Sequence, residues 1–282
     1  MYNKKYEELT FTDDFMFGNV VKNKEFSRRL LSCLLQQPIG ELKDLHHEHS
    51  MKCYADGKSI RLDLYTRAND IIYDAEMQNL NNKPHNSLAV EKRSRFYHSM
   101  IDTDFFNNGG RYRDLPESNV IFICTFDPFG MNHPIYLFSM TEEGHPEHKL
   151  NEGTMTYFFN TTYKGDDIPP ELFNLYRYIQ TEEHNDEFTD MLDGLVKKAR
   201  FNEEMRSDYM KELTLAMDLR DEGREEGIEI GREEGIEIGR EEERANTEKA
   251  NRRADAAEAE NVILLERLRV LEEQVKLLSE KQ

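Results

Sequence analysis

Acidic side chains spaced evenly along paired strands can converge on a cation, and one stretch of this chain carries them that way. Residues 61–78 read Arg-Leu-Asp-Leu-Tyr-Thr-Arg-Ala-Asn-Asp-Ile-Ile-Tyr-Asp-Ala-Glu-Met-Gln. Two runs of period two flank a polar turn over residues 67–70, the pattern of a β-hairpin. Arg61, Asp63 and Tyr65 share one face of the first run. Asp74, Glu76 and Gln78 share one face of the second, with Tyr73, Ala75 and Met77 opposite. Pairing the runs would set Asp63 beside the Glu76-x-Gln78 pair. Two carboxylates aimed at one point repel unless one is protonated or a cation lies between them. Mg²⁺, commonly held by one or two carboxylates with water and substrate phosphate completing its shell, suits Asp63 and Glu76, with the Met77 main-chain carbonyl as a further candidate ligand. Gln78 both donates and accepts, so it can orient a water or contact a phosphate, but it is no strong base. Over these residues alone, an ordinary hairpin with a solvated acidic face would read the same.

The flanking text supplies elements to hold such a hairpin. Thr12 or Asp13 can cap a helix that turns Phe15, Phe17, Val20 and Val21 to a core, and residues 23–37 form a second with Phe26, Leu30, Leu31, Leu34 and Leu35 at helical spacing, ended by Pro38. Asp14 is a candidate additional acid for the cation; capping of free N–H groups at a helix start is the commoner use of such a residue. A first strand is expected over residues 50–54, with Asp56-Gly57 turning the chain into the hairpin. An Asn-rich link containing Pro84 leads to a helix over residues 87–106, with Tyr97, Met100, Ile101 and Phe105 packed on the sheet and Lys92, Arg93 and Arg95 nearer the acids. Asn107-Asn108-Gly109-Gly110 breaks it. Residues 119–126 are a continuous apolar run, as in a strand buried on both faces, and residues 135–140 and 155–160 read as further strands.

Taken in order, Leu9-Thr-Phe-Thr-Asp-Asp-Phe-Met-Phe-Gly-Asn-Val-Val, Arg61-Leu-Asp-Leu-Tyr, Tyr73-Asp-Ala-Glu-Met-Gln, Arg93-Ser-Arg-Phe-Tyr-His-Ser-Met-Ile and Asn119-Val-Ile-Phe-Ile-Cys-Thr-Phe resemble the Rpn family of recombination-promoting nucleases, also called PD-(D/E)XK nuclease family transposases. The resemblance covers residues 9–159 and, more loosely, the helical tail. It implies an α/β fold with a restriction-endonuclease-like core, a mixed sheet flanked by helices, and Mg²⁺-dependent DNA cleavage with Asp63 and Glu76 as the metal-binding acids. Mn²⁺ is a candidate substitute. Gln78 stands where the wider superfamily usually has Lys. Gln is common there in the Rpn group, yet it removes a positive charge that would help a water ionise.

The chain has 282 residues, 38% of them hydrophobic, with 16 Phe and 13 Tyr, enough for a real core. It has no apolar run near membrane-spanning length and no apolar stretch behind its first residues, so the expectation is a cytoplasmic protein without membrane insertion. Cys33, Cys53 and Cys124 are odd in number and far apart, which supports buried thiols over a disulfide framework or a thiolate zinc site. His46, His47 and His49 lack a second pair of ligands and read as a polar loop entering a strand.

A formal charge of −19 is unusual for a protein that touches phosphate. Its distribution is uneven: residues 201–282 carry 14 basic against 24 acidic groups, about half the net charge on under a third of the chain. Between residues 83 and 113 the balance reverses, with Lys83, Lys92, Arg93, Arg95, Arg111 and Arg113 against Glu91, Asp102 and Asp104. Lys92, Arg93, Arg95 and Arg111 are therefore the candidate DNA contacts, a solvated helix face being the alternative.

From residue 169 the text turns helical. Gly-Arg-Glu-Glu-Gly-Ile-Glu-Ile then occurs at Gly223 and again at Gly231, with a third copy begun at Gly239. Glycine every fourth residue weakens a lone helix, and a period of four drifts around a 3.6-residue turn, so an adjustable connector is favoured. Ala250, Ala254, Ala257, Asn261, Leu264, Leu268, Leu271, Val275 and Leu278 keep a 4-3 spacing that predicts a coiled coil, with Asn261 at an a position favouring a dimer in fixed register. A single amphipathic helix folded back on its own domain is the alternative. The expected organisation is a nuclease-like domain over 1–165, a helical region over 166–222, a glycine-containing connector over 223–244 and a coiled coil over 245–282. The expected function is a homodimeric, Mg²⁺-dependent DNA endonuclease. Two rivals remain: a DNA-binding or assembly protein that keeps the nuclease fold without useful catalysis, and a protein whose main function is the coiled coil itself.

Overall fold

The computed structural model of the chain describes residues 4–52, 59–79, 87–107 and 109–279. By internal contacts the chain divides into two compact units, Met1–Glu212 and Leu213–Gln282, and the helical region expected over 166–222 straddles that division. The Asp56-Gly57 turn, Cys53, Lys83 and the link around Pro84 lie outside the described residues.

The first unit begins with helices α1 (Asp14–Val20) and α2 (Lys24–Leu35) and strands β1 (Lys43–Lys52), β2 (Ser59–Ala68) and β3 (Ile71–Gln78). Helix α3 (Ser87–Asn107) follows, then β4 (Glu117–Cys124), β5 (Ile135–Phe138), a short ribbon of β6 (Thr141–Glu142) and β7 (His145–Lys149), β8 (Thr154–Asn160), and helices α4 (Pro170–Thr181) and α5 (Glu187–Arg200). Helix α6 (Glu203–Ser279) starts in this unit. The main sheet has six strands in the order β1-β2-β3-β4-β8-β5; β3, β4 and β8 run parallel, and the other pairings are antiparallel. A mixed sheet flanked by helices is thus present as expected. The first strand starts earlier than its sequence suggests and takes in the His46-His47-Glu48-His49 run, because pairing with β2 overrides its polar composition.

Local chemistry explains the elements that matter most. Asn23 caps α2 by accepting a bond from the Phe26 N–H at 2.9 Å. The β2–β3 turn is two residues long, Asn69 and Asp70, both left-handed at φ 48° and 63°. That is the backbone of a tight hairpin turn whose twist matches the strands it joins. It locks Leu64 opposite Ala75 and Tyr65 opposite Asp74.

Helix α3 is the crossover between parallel strands β3 and β4 and lies on one face of the sheet. Val90, Tyr97, Met100 and Ile101 pack there with Ile72, Val120, Phe122, Cys124 and Phe158. Alternate residues of the same strands, Tyr73, Ala75, Ile121, Ile123 and Phe159, are buried too, so the central strands are covered on both sides. Phe11, Phe17, Phe26, Tyr178 and Phe188 build a second aromatic core that joins the N-terminal helices to α4 and α5. Tyr6 and Tyr209, with ring centroids 5.8 Å apart, fasten the start of α6 to the N-terminal segment.

In the second unit α6 continues as an unbroken helix through the glycine repeats. A Cβ at Gly223, Gly227, Gly231, Gly235 or Gly239 would meet nothing within 4 Å, so no close approach within the described chain requires them. Ile228, Ile230, Ile236, Ile238, Leu264, Leu268 and Leu271 are exposed. Val275 and Leu278 of the heptad pattern lie among side chains outside the described ones. No helix of the described residues is long and apolar enough to cross a membrane.

His98 ties α3 to the sheet: its Nδ1 is hydrogen-bonded to Ser118 Oγ at 2.8 Å and its Nε2 to Thr156 Oγ1 at 3.1 Å. Burial pushes its pKa down to about 4. The unfolded chain, with His near 6.5, therefore binds more protons between those values, and stability falls as pH drops from about 6.5 toward 4. A loss of up to about 3 kcal/mol across that window is expected from this residue. Denaturant unfolding of wild type and His98→Gln between pH 7.5 and 4.5 checks it, the variant showing the shallower dependence.

Candidate active site

The hairpin turn and the pleat decide where the acids go. With Leu64 against Ala75, Asp63 and Glu76 fall side by side on the face covered by α3, and each holds the other's strand. The Asp63 N–H donates to Glu76 Oε1 at 2.9 Å, and the Met77 N–H donates to Asp63 Oδ2 at 3.3 Å. Asp63 is half-buried, whereas Glu76 is only 2% exposed. The predicted convergence of Asp63 and Glu76 is therefore present, and main-chain donors orient both carboxylates.

Helix α3 closes the face with Arg93 and Tyr97. Arg93 donates from Nη1 to Gln78 Oε1 at 2.7 Å and from Nη2 to Glu76 Oε2 at 3.3 Å. Nη2 also bonds the Tyr97 hydroxyl, which itself donates to Glu76 Oε2 at 3.3 Å. The guanidinium carbon lies 5.2 Å from the Tyr97 ring centroid and 5.9 Å from that of Phe122. Spacing of i and i+4 places Arg93 and Tyr97 on one stripe of the helix, which is why they act on the same carboxylate.

Burial dominates the electrostatics. It pushes Glu76 well above the usual carboxylate range, the neighbouring Asp74 adds to the rise, and the Asp63 N–H and Arg93 offset part of it. Asp74, fully buried, is pushed up by the same loss of solvent and then by the charge of Asp63. Neither Asp74 oxygen makes a hydrogen bond of good geometry among the described residues, although the adjoining Glu76 carboxyl offsets part of the rise. Burial would lower the Arg93 pKa, but Tyr97 and Glu76 outweigh that and hold it charged.

Gln78 turns its amide onto its own strand as well, donating from Nε2 to the Met77 carbonyl at 3.0 Å. The candidate carbonyl ligand is thus engaged by Gln78. At the same edge Asn79 donates to Thr12 Oγ1 at 3.3 Å, which brings the start of α1 beside the end of β3. Asp13 is the residue before α1, yet its carboxylate accepts from the Thr10 N–H at 2.7 Å and does not cap the helix. Asp14 is exposed in the first turn.

The four basic candidates are not placed alike. Arg93 lies at the acids, as expected, and its guanidinium is engaged by Glu76 and Gln78. Arg111 follows the far end of α3, and β4 enters the sheet with Glu117 opposite Ile71, while Gln78 lies opposite Cys124. The seven residue steps of β3 between these ends span about 23 Å, so Arg111 is carried away from the acids and pairs instead with Asp114 at 3.6 Å. The reason is length: a helix of 21 residues rises about 30 Å and returns the chain to the opposite edge. Lys92 and Arg95 are exposed in the first half of α3, on either side of Arg93 in sequence, and neither forms an ion pair among the described residues. Alternation puts Asp74 on the acidic face, where α3 buries it beside Glu76, and Tyr97, spaced for packing on the sheet, also brings its hydroxyl to Glu76. Their signals were the Asp-x-Glu-x-Gln alternation and the Arg-x-x-x-Tyr spacing.

The donor set fits a hard divalent ion. Among the described residues no three His, Cys, Asp or Glu side chains form a metal-holding group, so the chain offers the Asp63–Glu76 pair of oxygen ligands. Mg²⁺ accepts such a set because it keeps several waters and takes substrate phosphate into its shell. Bound positive charge would also reverse the penalty on ionising Glu76.

A family model for PD-(D/E)XK nuclease family transposases matches residues 11–219. The chain belongs to that family. The matched span contains both acids, Gln78, all of α3 and the helical region through the start of α6. No curated protein and no solved structure matches. Family membership makes a nuclease- or transposition-related function the coarse assignment, and PD-(D/E)XK nucleases typically use divalent metals and act on DNA.

Asp74→Asn keeps the side chain's shape and removes the cost of either burying its charge or protonating it. The expected result at pH 7.5 is a gain of about 1–3 kcal/mol in the unfolding free energy of the metal-free protein, measured with urea.

Proposed function

We propose that the protein is a divalent-metal-dependent DNA endonuclease that hydrolyses phosphodiester bonds, serving recombination or transposition. The observation that carries this is the mutual backbone anchoring of Asp63 and Glu76, which aims two carboxylates at one point in a chain of a nuclease family. Mg²⁺, or Mn²⁺ in its place, would supply Lewis acidity at the scissile phosphate and a water of lowered pKa. Asp63 and Glu76 would hold it, with the Met77 carbonyl as a further ligand once Gln78 turns away. Gln78 would orient the attacking water through its amide, and the exposed Lys92 and Arg95 would contact backbone phosphates on either side. Asp14, at the rim, is a candidate additional acid.

The exposed apolar positions of α6 support a second element of the proposal, a homodimer through the heptads of residues 245–282. Two copies would present two sites to one duplex. Deleting residues 245–282 is expected to halve the mass measured by light scattering; an unchanged mass would remove the dimer from the account.

One feature favours the rival reading of a DNA-binding protein with little catalysis: Gln78 in place of Lys, with Glu76 engaged by Arg93. Plasmid cleavage separates the two. Nicking or linearisation with Mg²⁺ or Mn²⁺, absent with EDTA and reduced at least about a hundredfold in Asp63→Ala and Glu76→Ala, is expected. Intact plasmid with both metals, alongside retained DNA binding, would favour the rival.

A further inference from the structure

The Arg93 side chain is 38% exposed and that of Glu76 is 3% exposed, so Arg93 lies between the buried acid and solvent. Its two arms are unequal. The contact to Gln78 is short at 2.7 Å, while that to Glu76 is long at 3.3 Å. Stacking on Tyr97 and Phe122 holds the guanidinium independently of either acceptor. A cation arriving at Glu76 would face a positive group already there, and the weaker arm is the one that must yield. What remains is a guanidinium tethered to Gln78 through Nη1 and to the Tyr97 hydroxyl through Nη2.

We propose that Arg93 is a built-in counter-cation: it neutralises Glu76 while the site holds no metal, yields that carboxylate to a divalent cation, and then serves the scissile phosphate from its tether at Gln78. This rests on the nuclease reading above. Lysine at this place would deliver a point charge, whereas the guanidinium fork can keep one arm on Gln78 and present the other to an anion. The assignment also explains why a chain with no lysine after Glu76-Met77 places an arginine on the facing helix.

A competitor for Glu76 and a structural support for it make opposite predictions for metal affinity, which can be measured without DNA. Mn²⁺ titration followed by electron paramagnetic resonance on the full-length protein is the test, with wild type, Arg93→Gln and Arg93→Lys. Arg93→Gln is expected to bind Mn²⁺ about tenfold more tightly while its plasmid cleavage falls about a hundredfold. Arg93→Lys, which keeps the charge but loses the fork, is expected to bind severalfold more tightly and is the variant to read if Arg93→Gln does not fold. Unchanged or weaker Mn²⁺ binding in a folded variant would overturn the proposal and leave the nuclease reading in place, as would tighter binding with undiminished cleavage. No Mn²⁺ bound by the wild type would overturn both.

Discussion

A carboxylate stripped of water and covered by a helix must find positive charge or a proton, and this demand organises the centre of the molecule. Asp74 and Glu76 sit on the inner face of β3 beneath α3, with 0% and 2% of their surface exposed. Everything adjacent answers their presence. The hairpin partner offers a backbone N–H, α3 offers a guanidinium and a phenol, and the desolvated Asp74 is driven toward its neutral form. An apolar residue at 74 or 76 would be easier to fold, which is the usual signature of a site kept for chemistry rather than for stability.

The sheet's topology sets that concentration of charge close to one end of its parallel strands. Parallel pairing of β3, β4 and β8 puts their C-terminal ends together, and Gln78 lies at that edge, where the Thr125 N–H donates to the Gln78 carbonyl at 3.0 Å. Glu76 is thus buried yet lies only two residues from the end of β3. Helix α3 begins at the same end of the sheet, so its first half carries Arg93 and Tyr97 to Glu76 while Met100 and Ile101 beyond them pack in the core.

The tail follows a different logic. Its acidity is borne by α6, largely in the unit over residues 213–282, and the net charge of the whole chain therefore says little about the surface around Lys92 and Arg95. The repeat glycines sit in an unbroken helix with open space around each one. Their cost is not offset by close packing inside the described chain, so it must be met by a partner or by the mechanical freedom they confer.

Much of this was legible in the residues. Alternation placed Asp63 and Glu76 together, the strand- and helix-forming runs located β2 to β4, β8, α2 and α3 to within a few residues, and the ordered motifs pointed to the family. These are local properties: the pleat fixes which side chains share a face, and a two-residue turn fixes which pairs meet. What the tertiary structure decided was the fate of charges whose partners lie far along the chain. Arg93 was drawn inward, because a buried Glu76 attracts the nearest cation on the covering helix, and Arg111 was carried to the other end of the sheet by the length of that helix. Asp74 became a desolvated acid only once α3 closed over it. Burial is a sum over distant segments, and no spacing within residues 61–78 could have stated it.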